Sequence, residues 1–380
     1  MTWVSSPSSR PSAQATATRD FTIASSCGCI VSPRLRWGAP SGPGAYQRRP
    51  RLGRPWGWRG DGVGVRPEGS HGTPNGMRFL LVSALALALA CGGDDRSPDS
   101  GSPAADAAST PTPLRVMTWN VENLFDEMDD PETMDDVPTA GAVQRKLDDI
   151  AEVVRAVNPD FLALQEVENI GILDRLADEL DGLGYVHTGL VDSTDPRGID
   201  VAFISRVPLA EYPTTTSHIG ERFPEADGTG TVDFTRDALE VFLDVEGKTV
   251  GIVIVHFLSR RNNDADKELV RQSEALQTMR IAQARMDGGM DRVLVMGDMN
   301  DRPDSPTVTN VLSGSLTNVT QRVANDDRWT YVFDGVRQQL DYIMASPAMN
   351  TMARDVVILH TDAVDAASDH KPVAADFVVE

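Results

Sequence analysis

The chain has 380 residues with 35 basic and 56 acidic side chains, a formal net charge of −21, and three cysteines. That length accommodates one large core with an appendage. The charge excludes the broad basic footprint behind salt-dependent nucleic-acid affinity, and the cysteine count excludes a disulfide framework or cysteine zinc site in the body.

Residues 1–76 contain ten Arg, no Lys and only Asp20, Asp61 and Glu68 as acids, among abundant Gly, Pro and Ser. Such a stretch cannot bury a core. It is expected to be upstream sequence taken in by an early start codon, or else a disordered basic arm. Residues 77–380 then hold 25 basic and 53 acidic residues, a net charge of −28. A polyanionic substrate would have to be held locally, by metal ions and a few arginines.

Within residues 77–91, Met77 and Arg78 precede an apolar run from Phe79 to Ala90, followed by Cys91. The run is too short to span a bilayer and suits a signal segment. It resembles a bacterial lipoprotein signal peptide, with Cys91 as the lipidated N-terminus. Because Ala88-Leu89-Ala90-Cys91 departs from the usual Leu-Ala-Gly-Cys order, ordinary secretory cleavage stays open; export is expected either way. Residues 92–113, rich in Asp, Ser, Pro, Ala and Thr, read as a flexible tether, and the catalytic domain is expected over 114–380.

Leu114 to Trp119 reads as a buried strand. Val143, Leu147, Ile150, Val154 and Val157 recur at helical spacing until Asn158-Pro159 stops the helix. Phe161 to Gln165 is a second strand, Leu173, Leu176 and Leu180 mark a second helix, and Ile199 to Ser205 is a third strand. Leu239 to Val245 and Val250 to His256 alternate on either side of Glu246-Gly247-Lys248, the pattern of a hairpin. Asp264 to Met286 reads as one long exposed helix. Arg292–Met296, Leu340–Ala345, Val356–His360 and Val373–Val379 read as further strands. Helix-covered strands together with a hairpin give an α/β or α+β class.

Polar residues recur where these apolar strands end, the place at which a rigid sheet presents functional groups. Asn120 can ligate a hard cation or a phosphate oxygen without adding charge, and a turn-forming Asn is the alternative. Glu166 delivers a carboxylate to a strand tip, as magnesium or manganese requires, and a helix-start carboxylate is the alternative. Asp298 and Asn300 alternate on an extended chain after Gly297. Ser368-Asp369-His370 sets a carboxylate beside an imidazole, and Asp341 offers a second carboxylate to orient it. His256 shares a strand face with Val250, Ile252 and Ile254, so a core histidine competes with a site histidine. His71, His187, His218 and His360 have no partner motif and read as structural or surface groups. There is no HExxH, serine elbow, P-loop or GxGxxG, which leaves metal-assisted hydrolysis.

Taken together, Met117–Phe125, Leu164–Glu168, Arg197–Ala202, Val255–Phe257, Gly297–Asn300, Leu340–Ile343 and Ser368–His370 resemble the endonuclease/exonuclease/phosphatase family in order and spacing. The resemblance covers nearly all of 114–380 and looks closest to its secreted bacterial nuclease branch. It implies a deoxyribonuclease I-like four-layer sandwich, two mixed β-sheets packed face to face with helices outside. It also implies that Asn120 and Glu166, with Asp369, bind a divalent metal (Mg2+, or Mn2+ or Ca2+). Asp298 would position or deprotonate the attacking water, and Asn300 would contact the scissile phosphate. His370, held by Asp341, and His256 would stabilise phosphate oxygens. Arg197, Arg206 and Arg236 are candidate phosphate contacts, although the segment Thr235-Arg-Asp-Ala-Leu239 departs from family members that carry Pro after this arginine.

The expectation is therefore an exported, monomeric, metal-dependent phosphodiesterase, with DNA or RNA the favoured substrate and a lipid anchor to the membrane. The alternatives are a sphingomyelinase-like or inositol-phosphate hydrolase, which apolar, aromatic loops near the site would favour, and a non-enzymatic surface-binding lipoprotein.

Overall fold

The computed structural model describes residues 111–380, except Tyr212 and Asn263. The signal segment, Cys91 and nearly all of the expected tether lie outside the described residues. No helix among the described residues is long and apolar enough to cross a membrane.

Strand β1 (Thr112–Leu124) starts slightly earlier than the expected Leu114 and leads through α1 (Ala140–Val157) to β2 (Phe161–Val167). Thr139 caps α1 by accepting the Ala142 N–H, and Asn158 ends it in the left-handed conformation with φ 53°, which Asn tolerates. Next come α2 (Ile170–Glu179), β3 (His187–Leu190), β4 (Asp200–Ser205) and the short strands β5 (Thr215–Thr216), β6 (Phe223–Pro224) and β7 (Thr231–Val232). The expected hairpin is β8 (Ala238–Val245) and β9 (Lys248–His256), followed by α3 (Ala265–Asp287) and β10 (Val293–Asp298). After α4 (Pro306–Val311) and β11 (Thr317–Asn318), a second hairpin forms from β12 (Tyr331–Phe333) and β13 (Val336–Gln338). The chain closes with β14 (Asp341–Ala345), α5 (Pro347–Met352), β15 (Ala353–Ile358), α6 (Asp362–Ala367) and β16 (Val373–Val379).

Two mixed sheets of six strands result, ordered β15-β16-β1-β2-β4-β3 and β11-β14-β10-β9-β8-β5. The sheets pack through a shared core of Leu114, Val116, Phe161, Ala163, Val201 and Phe203 against Leu239, Val241, Ile252, Ile254, Leu294, Met296 and Ile343. On the outer face of the first sheet, Met117, Trp119, Leu162 and Leu164 meet Leu147, Ile150 and Val154 of α1 and Leu173 and Leu176 of α2. On the outer face of the second, Val253, Val255, Val293 and Val295 meet Ala275, Ile281 and Ala282 of α3 and Val308 of α4. This is the four-layer sandwich expected. Each fully buried aliphatic or aromatic side chain in these layers contributes about 1.5–3 kcal/mol.

Helix α3 differs from its expected exposure. Its sheet-facing side buries Arg271 and Glu274 as well as Ala275 and Ala282. Arg271 pairs with Asp301 at 3.2 Å. Glu274 accepts the Thr235 and Leu258 N–H groups, each at 2.9 Å. These partners lie far away in sequence, so the periodicity of α3 alone reads as polar.

Candidate active site

Side chains alternate across a strand, and this rule decides which residues meet. Counting by twos along the inter-sheet face, Leu114 and Val116 lead to Asn120 on β1, and Ile252 and Ile254 lead to His256 on β9. In the same way Leu294 and Met296 lead to Asp298 on β10, and Ala345 and Ile343 lead to Asp341 on β14. All four polar groups therefore emerge at one end of the core between the sheets. Asp298 lies in register with His256 on one side and Asp341 on the other. His256 thus continues a core face and also lines the site, so the two readings of it were not exclusive.

Glu166 has the wrong parity for this face. A register shift between Gln165 and Val167 and a left-handed φ of 66° at Glu166 turn its carboxylate inward. Glu122, Asn123 and Asn300 also have positive φ values of 53°, 56° and 50°. Such conformations cost free energy for non-glycine residues and gather where geometry serves function. Behind Asp298, Gly297 has φ 144°, and a Cβ there would lie 1.9 Å from the Val255 carbonyl oxygen. Only glycine lets β10 approach β9 at this point.

Asp298 is the hub. Its Oδ2 accepts from Asn120 Nδ2 and Asn300 Nδ2, each at 3.1 Å, and lies 3.6 Å from His256 Nε2 and 3.9 Å from His370 Nε2. Its Oδ1 accepts the Asn300 N–H at 2.7 Å. His370 Nδ1 is 2.8 Å from Asp341 Oδ2. The Asp341 backbone N–H donates to Thr330 Oγ1 at 3.1 Å. Asn120 Nδ2 also reaches Glu166 Oε1 at 3.2 Å, and His256 Nε2 lies 3.8 Å from the same oxygen. Ser368 donates to the Asn120 carbonyl at 2.7 Å and accepts the His370 N–H at 3.0 Å.

The two imidazoles are driven apart electrostatically. Burial alone would lower the pKa of His370, but the Asp341 and Asp298 carboxylates outweigh it and raise it to about 10. Burial pushes His256 well below the usual range, helped by the charges of Arg236 and His370. These opposite shifts favour the charged form at His370 and the neutral form at His256. Burial and the neighbouring Asp341 raise the pKa of Asp298. Among the described residues, His256 Nδ1 and Asp341 Oδ1 are buried without hydrogen-bond partners, a cost that folded proteins seldom carry away from functional sites.

The three candidate arginines fare differently. Arg197 Nη2 bonds Asn123 Oδ1 and lies 3.6 Å from Glu166 Oε2, at the mouth of the site. Arg236 lies beside His256 but is 3% exposed, paired with Asp195 at 2.8 Å and bonded to the Phe257 carbonyl at 3.1 Å. Arg206 corrects the expectation. It pairs with Asp160 at 2.8 Å and bonds Asn158, at the opposite end of the sheet. Antiparallel pairing of β4 with β2 sets Ser205 against Phe161 and Asp200 against Val167, so Arg206 sits where β2 begins and Glu166 where it ends.

Asp369 is exposed at the rim, its backbone N–H donating to Glu122 Oε2 at 3.1 Å. The buried group whose ligand atoms lie within 4.8 Å of one another is Asp298, Asp341 and His370, a different set from the expected Asn120, Glu166 and Asp369. Asp341 and His370 already bond each other, and the half-buried Glu166 has both oxygens at the mouth. Carboxylate, amide and imidazole donors without a thiolate fit a hard divalent cation. A cation between Glu166 and Asn120 would require the Asn120 amide to turn its oxygen, which now accepts the Glu122 N–H, toward the carboxylates.

Several contributing residues gave no sequence signal. The Tyr331 ring packs tilted against His370, with 4.7 Å between centroids and 36° between planes. Thr330 Oγ1 accepts the Leu340 N–H at 2.9 Å as well as that of Asp341. Trp119 Nε1 donates to the His370 carbonyl at 3.0 Å. Of these only Trp119 fell inside a motif, and the strand parity that sends its ring to the outer face gave no hint of this bond.

A carboxylate hub between two imidazoles thus stands at the open end of a two-sheet sandwich. The Endonuclease/Exonuclease/phosphatase family profile matches residues 117–370, and the chain belongs to that family. Among solved structures, the human Nocturnin catalytic domain with bound sulfate is 20% identical with a TM-score of 0.51, covering 70% of this chain and 95% of that one. An endonuclease/exonuclease/phosphatase from Beutenbergia cavernae is 23% identical with a TM-score of 0.50, covering 70% and 72%. One from Bacteroides vulgatus is 17% identical with a TM-score of 0.51, covering 71% and 100%. At these identities the likeness is one of fold. No curated protein gives a significant match to the sequence.

Proposed function

We propose that the chain is a divalent-metal-dependent phosphodiesterase that hydrolyses its substrate by in-line attack of water. The observation that carries this is Asp298, within 3.6 Å of neutral His256 and 3.9 Å of charged His370 while Asn120 joins it to Glu166. Asn120 and Glu166 would hold the cation, with Asp369 at the rim, and the cation would supply charge neutralisation for the phosphate. Asp298 orients the attacking water and takes its proton. His370, fixed through Nδ1 by Asp341, donates from Nε2 to a phosphate oxygen as charge builds. His256, neutral, offers Nε2–H on the other side of Asp298, and Asn300 holds the Asp298 carboxylate in place.

A nucleic acid is the substrate favoured by the motif at Met117–Phe125. A phosphodiester lipid is the second reading, supported by exposed apolar residues on two segments that adjoin site residues. Val332, Phe333 and Val336 lie on the β12–β13 hairpin beside His370, and Met128, Met134 and Val137 lie on the loop after β1. Export, with Cys91 lipidated, rests on the sequence pattern of residues 77–91 alone.

The test is hydrolysis of bis(p-nitrophenyl) phosphate, single-stranded DNA, RNA and phospholipid vesicles with magnesium or manganese. Turnover of at least one diester that Glu166→Ala abolishes is expected. Absence of any metal-dependent turnover would sink the proposal. Release of radiolabelled palmitate with the protein from expressing bacteria checks the anchor.

A further inference from the structure

The arginine nearest the Glu166 carboxylate is held by groups that belong to both sheets. Asp195, in the loop between β3 and β4, is buried. Its Oδ1 accepts the Arg197 backbone N–H at 2.8 Å, and its Oδ2 pairs with Arg236 Nη2 at 2.8 Å. Arg236 precedes β8 in the second sheet, and its Nη1 donates to the Phe257 carbonyl at 3.1 Å. The same carbonyl accepts from Asn300 Nδ2 at 2.9 Å, and Asn300 in turn bonds Asp298. A continuous chain of polar contacts thus runs from the Arg197 loop on one sheet to the Asp298 hub on the other.

Arg197 itself has a side chain 41% exposed, directed at Asn123 and Glu166. It is the guanidinium at the mouth whose position relative to Asp298 matters for a phosphate. Its loop is fixed from the other side too, because Gly198 adopts φ 65° against the Thr133 side chain. Arg236, by contrast, has both terminal nitrogens engaged in the interior, so it does not extend to substrate.

We propose that Asp195 and Arg236 are positioning residues. Together they form a buried strut between the two sheets that sets the register of Arg197, the phosphate-binding cation of this site, against Asp298. The proposal rests on the phosphodiesterase reading for its context. Its physical basis is that a buried ion pair with further hydrogen bonds fixes relative geometry even where its net stabilisation is small, and that displacement of a positioned charge by about 1 Å costs a site heavily. With its backbone fixed in this way, Arg197 carries a guanidinium whose planar fork matches two phosphate oxygens.

The experiment uses the full chain with magnesium and titrates inorganic phosphate by calorimetry. Steady-state hydrolysis of bis(p-nitrophenyl) phosphate runs in parallel. Arg197→Ala should weaken phosphate binding by roughly tenfold, as loss of a charge-assisted contact does. Asp195→Asn, which keeps the shape of the side chain, should weaken it by a similar factor and raise KM more than it lowers kcat. The double variant should bind phosphate no more weakly than Arg197→Ala alone, because Asp195 acts through Arg197. If Asp195→Asn does not fold, Arg236→Lys retains the buried charge but cannot reach both Asp195 and the Phe257 carbonyl, and the same non-additive pattern is required of it.

Unchanged phosphate affinity in a folded Asp195→Asn protein overturns the proposal. So does an equal further loss in the Arg197→Ala background, or a wild-type chain that binds no phosphate. A wild type that binds phosphate with this mutant pattern, yet hydrolyses no diester, would leave the strut standing and overturn the phosphodiesterase reading instead.

Discussion

Asp298 concentrates the contacts of the site, since one oxygen of its carboxylate faces two amides and two imidazoles. Asp298→Ala is expected to lower kcat on a generic diester by about 10³-fold, the scale of losing a positioned base, with the far-ultraviolet dichroism unchanged. A loss below tenfold would remove Asp298 from the proton-transfer role. A second carboxylate makes a separate prediction about stability. Glu168, 8% exposed, has its pKa raised from 4.5 to about 7, mainly by burial, with the charges of Asp126, Asp135 and Asp130 adding to the shift. For an acid raised in the folded state, the cost is absent while both states are protonated, below 4.5. It grows as the unfolded chain ionises and is complete above about 7. Glu168→Gln should therefore raise the melting temperature at pH 8 more than at pH 4.5. An equal change at both would show that ionisation is not the source. The adjacency of Asp126, whose N–H bonds Glu168 Oε2 at 2.5 Å, could not be read from the sequence, because the two residues follow different strands, β1 and β2.

The strands β1, β2, β4, β8, β9, β10, β14 and β16 were legible because strands buried largely on both faces leave short apolar runs bounded by turn residues in the sequence. Elements held by tertiary partners were not. The β12–β13 hairpin turns at Asp334-Gly335, with Asp334 at φ 50° and Gly335 at φ 75°, as a tight hairpin turn requires. Yet Val332, Phe333 and Val336 are exposed, so no alternation marks it. If this hairpin meets an apolar substrate, Phe333→Ser with Val336→Ser should lower activity on phospholipid vesicles by roughly tenfold and spare bis(p-nitrophenyl) phosphate. That factor is the scale of removing one or two apolar contacts of about 0.8 kcal/mol per methylene. Equal loss on both substrates would argue against a lipid-facing role. Within β10, Gly297→Ala drives a Cβ into the Val255 carbonyl. It is expected to cost about 3 kcal/mol or more, read as a shifted denaturation midpoint; a silent substitution would mean that β9 and β10 can separate at no cost.

Excess negative charge at one end of the sandwich is a property of the assembled molecule. Glu166, Asp298 and Asp341 converge there, with Glu122 and Asp369 at the rim, and His370 and Arg197 answer only part of this charge. A bound divalent cation should relieve that repulsion. Magnesium at a hundredfold excess over its Kd is expected to stabilise the folded chain by about 2.7 kcal/mol. Removing it with EDTA should abolish hydrolysis, and magnesium or manganese should restore it. An unchanged melting temperature across a magnesium titration would argue against a bound ion. The sequence by itself determined the family motifs, the strands that carry them and the identities of Asn120, Glu166, Asp298, Asn300 and His370, because strand-end polar residues after apolar runs are local patterns. Only the tertiary structure decided that Arg206 stands at the far end of its sheet, that Arg236 is buried in an ion pair with Asp195 and that Glu166 turns inward through a bulge. Strand direction, register between sheets and burial by distant segments fix those outcomes, and none of these is a property of any one stretch of chain.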